Sequence, residues 1–569
     1  MSRPGNSAPK SPMSREPTQS PPVEGHGSDQ NPVDRVRLLS PGSKRSACSE
    51  RPSWRESGDL EGASPGQTAS ACGKAMSDNP WVQTIEESDE VIVPKKPTKT
   101  RVTPVELVEE RIEAKGKSVA RNASRAQDRT NDASTIMQRI GQRAKEKPKE
   151  KFTNLLSHIK RPLLKEAYAR LRKRAAPGVD GMTWEEYGVR LDERLHDLQN
   201  RVHKGSYHPQ PVRRVHIPKG DGGTRPLGIP ALEDKIVQQA ARMILEPIYE
   251  AMFIGFSYGY RPGKSAHDAL DAVAAAIARK VNWVLDADIR SFFDTINHGW
   301  MQKFLEHRIG DKRMVRLLMK WMNAGVMEDD ELREVDEGTP QGGLISPLLA
   351  NIYLHYALDL WVRQWRHRHA YGEVYFVRYA DDFIVGLQEE QDAHAIREAI
   401  AERLAKFGLE LHPEKTRVLQ FGRFALEDQK RHGLSKPETF EFLGLTHIAS
   451  VDRRLKFQLK RRTSRKKRNA KLAKLKEECQ RRRHMKVTEQ HEWLSSVLLG
   501  HYRYYGVPTN YDALKQVRRA VTRTWHRSLQ RRSQRAKWTA ADVRAFEQQF
   551  SLPLPRIFHP WPTVRFDSR

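Results

Sequence analysis

Cysteine is scarce in this 569-residue chain. Cys48, Cys72 and Cys479 are its only three, they stand far apart, and no CxxC occurs. A disulfide framework and a cysteine-based zinc site are therefore excluded. No apolar run approaches the ~18 residues that a membrane span needs. The opening stretch, MSRPGNSAPKSPMSREPTQ, has no apolar core of a signal peptide, and its prolines prevent the amphipathic helix of a transit peptide. Internal repeats are lacking too. Acidic residues are outnumbered: Lys and Arg total 99 against 71 Asp and Glu, a net charge of +28. Such an excess calls for a polyanionic partner. With 38% hydrophobic residues, the chain still has ample material for a folded core. The setting these features imply is a reducing cytoplasm, with nucleic acid as partner and no membrane contact.

Composition divides the chain. Residues 1–78 are rich in Ser, Pro, Gly and charge, and the sequence predicts disorder there. Met76 could open a second start, MSDNPWVQ. Residues 79–150 are polar, with order poor or limited to a short helix after Thr103. From Lys151, apolar residues recur at helical spacing. Strand-like stretches (RVHIPK, WVLDADI, EVYFVRYADDFIVGL, ETFEFLGLTHI) then alternate with helical ones to about residue 450, which predicts a mixed α+β core. Beyond 450 the chain is expected to be helical and very basic: residues 453–486 hold 17 Lys or Arg against Glu477 and Glu478 alone. A helix from Tyr511 carries Leu514, Val517, Val521, Trp525 and Leu529 on one face and arginines on the others. Residues 541–569 read as a short basic tail.

Chemistry concentrates in a few places. In YGEVYFVRYADDFIVGL (371–387), Asp381 and Asp382 stand between β-favouring flanks, so a hairpin would carry them at its tip. Asp is at home in turns. Here, however, the flanks are apolar on both faces, and two enclosed carboxylates repel unless a proton or cation lies between them. A hard divalent cation suits that pair. WVLDADIRSFFDTIN (283–297) reads as a strand with Asp286 and Asp288 on one face, and spacing alone leaves either as a third ligand. EGTPQGGLISPLLANIYLHYALD (337–359) is a Gly-rich loop ahead of a helix, with Ser346 as N-cap and Pro347 as first helical residue. IPKGDGGTRPLGIP (217–230) sets Lys219 and Arg225 beside a Gly-rich turn, cations suited to a triphosphate or to a solvated loop tip.

Taken in order, these motifs resemble the intron-encoded reverse transcriptase/maturase proteins of bacterial group II introns. RAAPGVDGMTWEEY (174–187), GFSYGYRPGKSAHDAL (255–270), LAKFGLELHPEKTRV (404–418) and FEFLGLTH (440–447) resemble further blocks of that family, and residues 493–534 resemble its maturase, or X, domain. The resemblance implies a right-hand polymerase, with fingers and an antiparallel-sheet palm over 151–450, then a helical thumb and X domain over 451–540. It selects Asp288, five residues before the aromatic Phe293, as the partner of Asp381 and Asp382. These three would be catalytic and, with Ile289, would bind two Mg²⁺ ions. Phe293 would be a steric gate against a ribose 2′-hydroxyl. Gln341 would line the nucleotide pocket, Lys219 and Arg225 would hold the triphosphate, and Lys415 would act near the leaving group. Intron RNA would bind the basic surface, with Arg461, Arg462, Lys466, Lys467, Arg518, Arg519 and Arg523 as contacts. The aromatics of HYRYYGVP (501–508) would stack on bases or fill the core.

Family members often end in an HNH endonuclease with paired cysteines. RIFHPWPTVRFDSR has none, so a mobile protein of this kind would be expected not to cut the second target strand and to use a nascent strand at a replication fork, or single-stranded DNA, as primer. The implied activity is RNA-directed DNA polymerisation with dNTPs, joined to intron splicing. The partners are intron RNA and a DNA target, with a homodimer as an option. Two rivals remain: a host-adopted reverse transcriptase in CRISPR, phage defence or repair, and a non-enzymatic RNA-binding splicing factor.

Overall fold

The computed structural model describes residues 133–562, apart from 219–222, 329–330, 334–337, 339–341, 432, 434–437 and 534–537. The expectations for residues 1–78 and for a helix after Thr103 lie outside the described residues.

Eleven strands form three sheets among the described residues. The first sheet joins β1 (Val212–Pro218), β2 (Thr224–Ile229), β4 (Val326–Glu328) and β5 (Glu331–Arg333) in the order β2-β1-β4-β5. The second has β3 (Trp283–Asp288), β6 (Val374–Tyr379), β7 (Asp382–Leu387) and β8 (Arg417–Gln420) in the order β6-β7-β3-β8. In the third, β10 (Leu445–Val451) lies between β9 (Thr439–Phe442) and β11 (Phe457–Thr463). Every pairing is antiparallel except β1 with β4. The chain is thus α+β, as its sequence implies.

Period-two alternation buries the second sheet on both faces. Leu285, Ala287, Phe376, Phe383 and Val385 join one core cluster. That cluster also takes in the helices α1 (Ala133–Glu146), α2 (Leu232–Glu250), α4 (Ser346–Leu354) and α6 (Glu390–Ala405). Val284, Tyr375, Val377 and Ile384 face the other way, onto α3 (Ala266–Ile277) and the third sheet. This double burial explains why β6 and β7 read as apolar runs rather than as an alternating pattern. α4 passes through a π turn at His355–Asp359 into α5 (Leu360–Arg368).

Beyond the third sheet, α7 (Arg465–Arg481), α8 (Val487–Tyr505), α9 (Tyr511–Gln530) and α10 (Ala540–Gln549) surround a separate core. Leu514, Val517, Val521, Trp525 and Leu529 all belong to it, as the helical spacing requires.

Four expectations are corrected. The segment before Lys151 includes α1, whose Ile140 and Ala144 are buried in the main core. The division at residue 450 falls inside the β10–β11 hairpin, and the helical part starts only at Arg465. The cap of α4 is Ile345, so Ser346 is already helical. Residues 541–562 are no loose tail: Leu552 is buried, and the Phe558 amide donates to the Gly506 carbonyl at 2.8 Å.

A fifth correction concerns Arg461. Its guanidinium is buried, with Nη1 2.7 Å from Asp271 Oδ1 on α3. It ties β11 to α3 and is withdrawn from any RNA. Removing one partner of such a pair leaves an uncompensated buried charge, at a cost of about 3–5 kcal/mol. Arg461→Ala is therefore expected to lower the thermal melting point sharply. A variant with unchanged melting and weaker RNA binding would restore Arg461 to the RNA surface.

Candidate active site

Residues Asp288 and Asp382 are direct cross-strand partners in the β3–β7 register, while Asp286 stands opposite Ile384. Tyr379 pairs with Asp382, which leaves Ala380 and Asp381 as a two-residue turn. Ala380 has φ +60°, a left-handed conformation that usually falls to glycine at the first central position of such turns. The register thus brings three predicted carboxylates to one end of one sheet. Asp286 shares the face of Asp288, as alternation requires.

That end opens into a cleft of about 920 Å³. Its walls include Asp286, Asp288, Asp382, Lys415, Arg417 and Glu441. Lys466 and Lys467 of α7 and Tyr504 and Tyr505 of α8 close it from the other side. The loop after α6 is held against β3 by a hydrogen bond from the His412 amide to the Asp288 carbonyl, 2.8 Å, and by a bridge between Ile289 and Leu411. This brings Lys415 Nζ to 2.6 Å from Asp288 Oδ2. Arg417 reaches Asp286 more loosely, at 3.4 Å.

Crowding of carboxylates controls the local electrostatics. Burial holds the Asp382 carboxyl well above the usual range, and the charges of Asp286, Asp288 and Asp381 push it further, with Lys415 opposing. Burial likewise raises Asp286 to about 6, with Arg417 opposing and Asp288 and Glu441 adding. A cluster short of positive charge and made of oxygen donors suits a hard divalent cation. No three His, Cys, Asp or Glu side chains among the described residues already converge on one ion-binding point. Mg²⁺ takes one or two carboxylates and completes its shell with water and substrate phosphates, so the donor set fits it.

The other expected site residues are distributed unevenly. Lys219 and Gln341 lie outside the described residues. Arg225 occupies β2, opposite Ile217. Phe293 is only 8% exposed and packs edge-on against Phe292 at 5.3 Å, part of the core beside the carboxylate strand. Gly342 of the PQGG loop has φ +120°, and a Cβ there would lie 2.2 Å from the Gly228 carbonyl. Only glycine allows the loop to rest on β2 this closely. On the basic surface, Arg462, Lys466, Lys467, Arg519 and Arg523 are exposed. Arg518 is half-buried and donates to the Leu552 carbonyl at 3.1 Å. The tyrosines of HYRYYGVP divide: Tyr502 is buried in the helical core, while Tyr504 and Tyr505 face the cleft.

Sequence reasoning missed Arg417, Glu441 and the two cleft tyrosines as neighbours of the carboxylates. It also missed a buried arginine, Arg378, behind the turn. One signal was available: a lone cation inside the apolar run EVYFVRY, with Asp359 as a lone acid in the apolar LHYALDLW.

The Asp286 shift has a measurable consequence. Its pKa is higher in the folded state than the 3.8 of a free carboxyl. Stability gained by protonation is therefore complete below about 4 and lost as the pH rises through about 6. Asp286→Asn is expected to raise stability by about 1–3 kcal/mol at pH 8 in metal-free buffer. The gain should vanish by about pH 4. Melting curves across this range check it, and a gain independent of pH would refute the cause.

Residues 217–447 match the family described as reverse transcriptase (RNA-dependent DNA polymerase). The chain is 38% identical over 276 residues to Protein YkfC of Escherichia coli (strain K12), covering 42% of this chain and 72% of that protein. It is 38% identical over 215 residues to the group II intron-encoded protein LtrA of Lactococcus lactis subsp. cremoris, covering 37% of this chain and 36% of that protein. A third relative, nuclear intron maturase 2, mitochondrial, of Arabidopsis thaliana, is 27% identical over 170 residues, 23% of each chain. The match therefore spans most of the first relative but only about a third of LtrA and a quarter of the plant maturase. With its carboxylate-bearing antiparallel sheet and these relatives, the chain belongs to the group II intron-encoded reverse transcriptase/maturase family.

Proposed function

We propose that this protein is an RNA-directed DNA polymerase and maturase. It binds the RNA of a group II intron, promotes its splicing, and copies it into DNA during retrohoming. One observation carries the polymerase half of this reading: Asp288 and Asp382 face each other across β3 and β7, beside Asp381 and beneath a basic wall, in one open cleft. In this reading the β6-β7-β3-β8 sheet is the palm, the β1–β2 hairpin belongs to the fingers, and α7–α9 are the thumb and X domain.

Asp288, Asp381 and Asp382, with the Ile289 backbone, would hold two Mg²⁺ ions. Bound there, such ions lower the pKa of a primer 3′-hydroxyl and neutralise charge on the transferring phosphate. The chain's own groups do the rest. Lys415, ion-paired with Asp288, would act near the leaving pyrophosphate. Lys219 and Arg225 grip the triphosphate of the incoming dNTP. Gln341 lines the nucleotide pocket, and the Phe293 ring excludes a 2′-hydroxyl. Lys466 and Lys467, which line the cleft, would bind the RNA backbone. Arg462, Arg519 and Arg523 extend the basic surface over which intron RNA lies. No helix among the described residues is long and apolar enough to cross a membrane. The protein would act in the bacterial cytoplasm at the nucleoid, where its DNA target lies.

Two measurements test this. Mg²⁺-dependent dNTP incorporation on a primed RNA should fall about a thousandfold when Asp381→Asn and Asp382→Asn are combined. Splicing of intron RNA, run in parallel, should persist. Splicing without incorporation by the unaltered chain would instead mark a splicing factor that has lost polymerase activity. Incorporation without any RNA splicing would mark a host-adopted enzyme. For the basic wall, Lys466→Ala with Lys467→Ala should reduce the slope of log affinity against log salt by about 1–2, across unrelated RNA sequences. An unchanged slope would remove both lysines from the interface.

A further inference from the structure

Behind the carboxylate turn lies a buried polar network that the proposed chemistry does not use. Arg378 is 0% exposed at the penultimate position of β6, and Asp359 is 0% exposed at the end of the π turn. The two are joined at both ends of the fork. Arg378 Nε lies 2.7 Å from Asp359 Oδ1, and Nη2 lies 2.5 Å from Oδ2. The remaining nitrogen, Nη1, donates to the Ala380 carbonyl at 2.9 Å and to Asn351 Oδ1 at 3.1 Å. Asn351 in turn donates to the Gly259 carbonyl at 2.7 Å. Gly259 presses on the turn itself: a Cβ there would lie 2.4 Å from the Ala380 nitrogen. The β6 backbone is fixed as well, by the Tyr258 amide on the Arg378 carbonyl and the Arg378 amide on the Phe256 carbonyl, both at 2.9 Å.

We infer that Arg378, gripped by Asp359, is a positioning residue: it clamps the Ala380 carbonyl and so holds the Ala380–Asp381 turn, and the carboxylates it carries, at the floor of the cleft. Three observations lead there. First, the turn is strained. A non-glycine residue in the left-handed region costs about 1–2 kcal/mol, and such strain persists only where its surroundings over-determine it. Second, the carboxylates repel one another, which would drive the hairpin tip outward without an anchor. Third, stability alone does not call for an ion pair here, because an apolar pair of similar volume is often as stable or more so. What the arginine adds is a donor aimed at one carbonyl of the turn. The π turn fits this account, since such insertions locally re-aim a helix and are frequent near functional sites. It ends on Asp359, the residue that grips the guanidinium.

The inference rests on the polymerase reading above, so the unaltered protein is run in every assay. The main variant is Arg378→Lys in the full chain, which keeps the charge but cannot hold Asp359 and the Ala380 carbonyl together. The second is Asp359→Leu combined with Arg378→Met, which removes both buried charges at similar volume. Polymerisation is measured per active site, counted by burst amplitude, with a Mg²⁺ titration. Hydrogen exchange of the 374–387 segment is followed without nucleotide or metal. Both variants are expected to fold and to lose about tenfold to a hundredfold in rate per site, as a misplaced reacting group does. The Mg²⁺ midpoint should move up several-fold, while KM for dNTP and RNA affinity stay within about twofold. Exchange should rise at the turn and not in the flanking helices. A merely structural pair would lower melting and the number of active sites, yet leave the rate per site, the Mg²⁺ midpoint and exchange at the turn unchanged. That result in either folded variant overturns the inference. So does failure of both to fold, which would make the pair a support of the whole core. No incorporation by the unaltered protein defeats the polymerase reading, and this inference with it.

Discussion

Like charges held together by backbone register are the constraint on which this site depends. The hydrogen bonds between β3 and β7 put Asp288 across from Asp382, and no side-chain choice can undo that once the strands pair. The sheet is buried on both faces, so the strands cannot slip by a residue without exposing their apolar sides. The repulsion is therefore built into the fold and must be answered locally. Lys415 answers part of it by direct contact with Asp288, and Arg417 reaches Asp286. Oxygen donors left short of positive charge are what a hard divalent cation requires of a protein, and it is the cation that can then take a substrate's phosphates.

Arginine serves two opposite purposes in this chain. On α9, Arg519 and Arg523 point outward and contribute to the net charge of +28, a field that draws a polyanion and is screened by salt. Inside, Arg378 and Arg461 are sealed from water and each is matched to one aspartate. There the guanidinium acts through its fixed geometry, holding a strand, a turn or a helix in place rather than attracting ligands. Arg461 shows how thin the boundary is. Its neighbour Arg462 faces solvent, because successive residues of β11 point to opposite sides.

Much of the candidate site was legible because its signals are local. A hairpin of β-branched and aromatic residues with two acids at its tip, a strand carrying Asp–x–Asp, and a helix with an apolar stripe each follow from periods of 2 or 3.6. The apolar stripe of α9 is the clearest case, with all five spaced residues in the helical core. Less legible were the edges. β11 was hidden under a basic composition that reads as helix, and α1 under a polar segment whose few apolar residues reach the main core.

The sequence by itself determined the α+β class, the excess of positive charge, the family resemblance and the carboxylates that carry it, since all of these reside in composition, period and spacing. Tertiary structure alone decided which acids meet, that Asp286 joins the cleft beside Asp288, and that Lys415, Lys466, Lys467 and Tyr504 converge there from distant segments. It alone turned Arg461 inward and set Arg378 behind the turn. The reason is physical. Burial and charge pairing depend on distances between residues tens or hundreds of positions apart, and only the packed chain sets those distances.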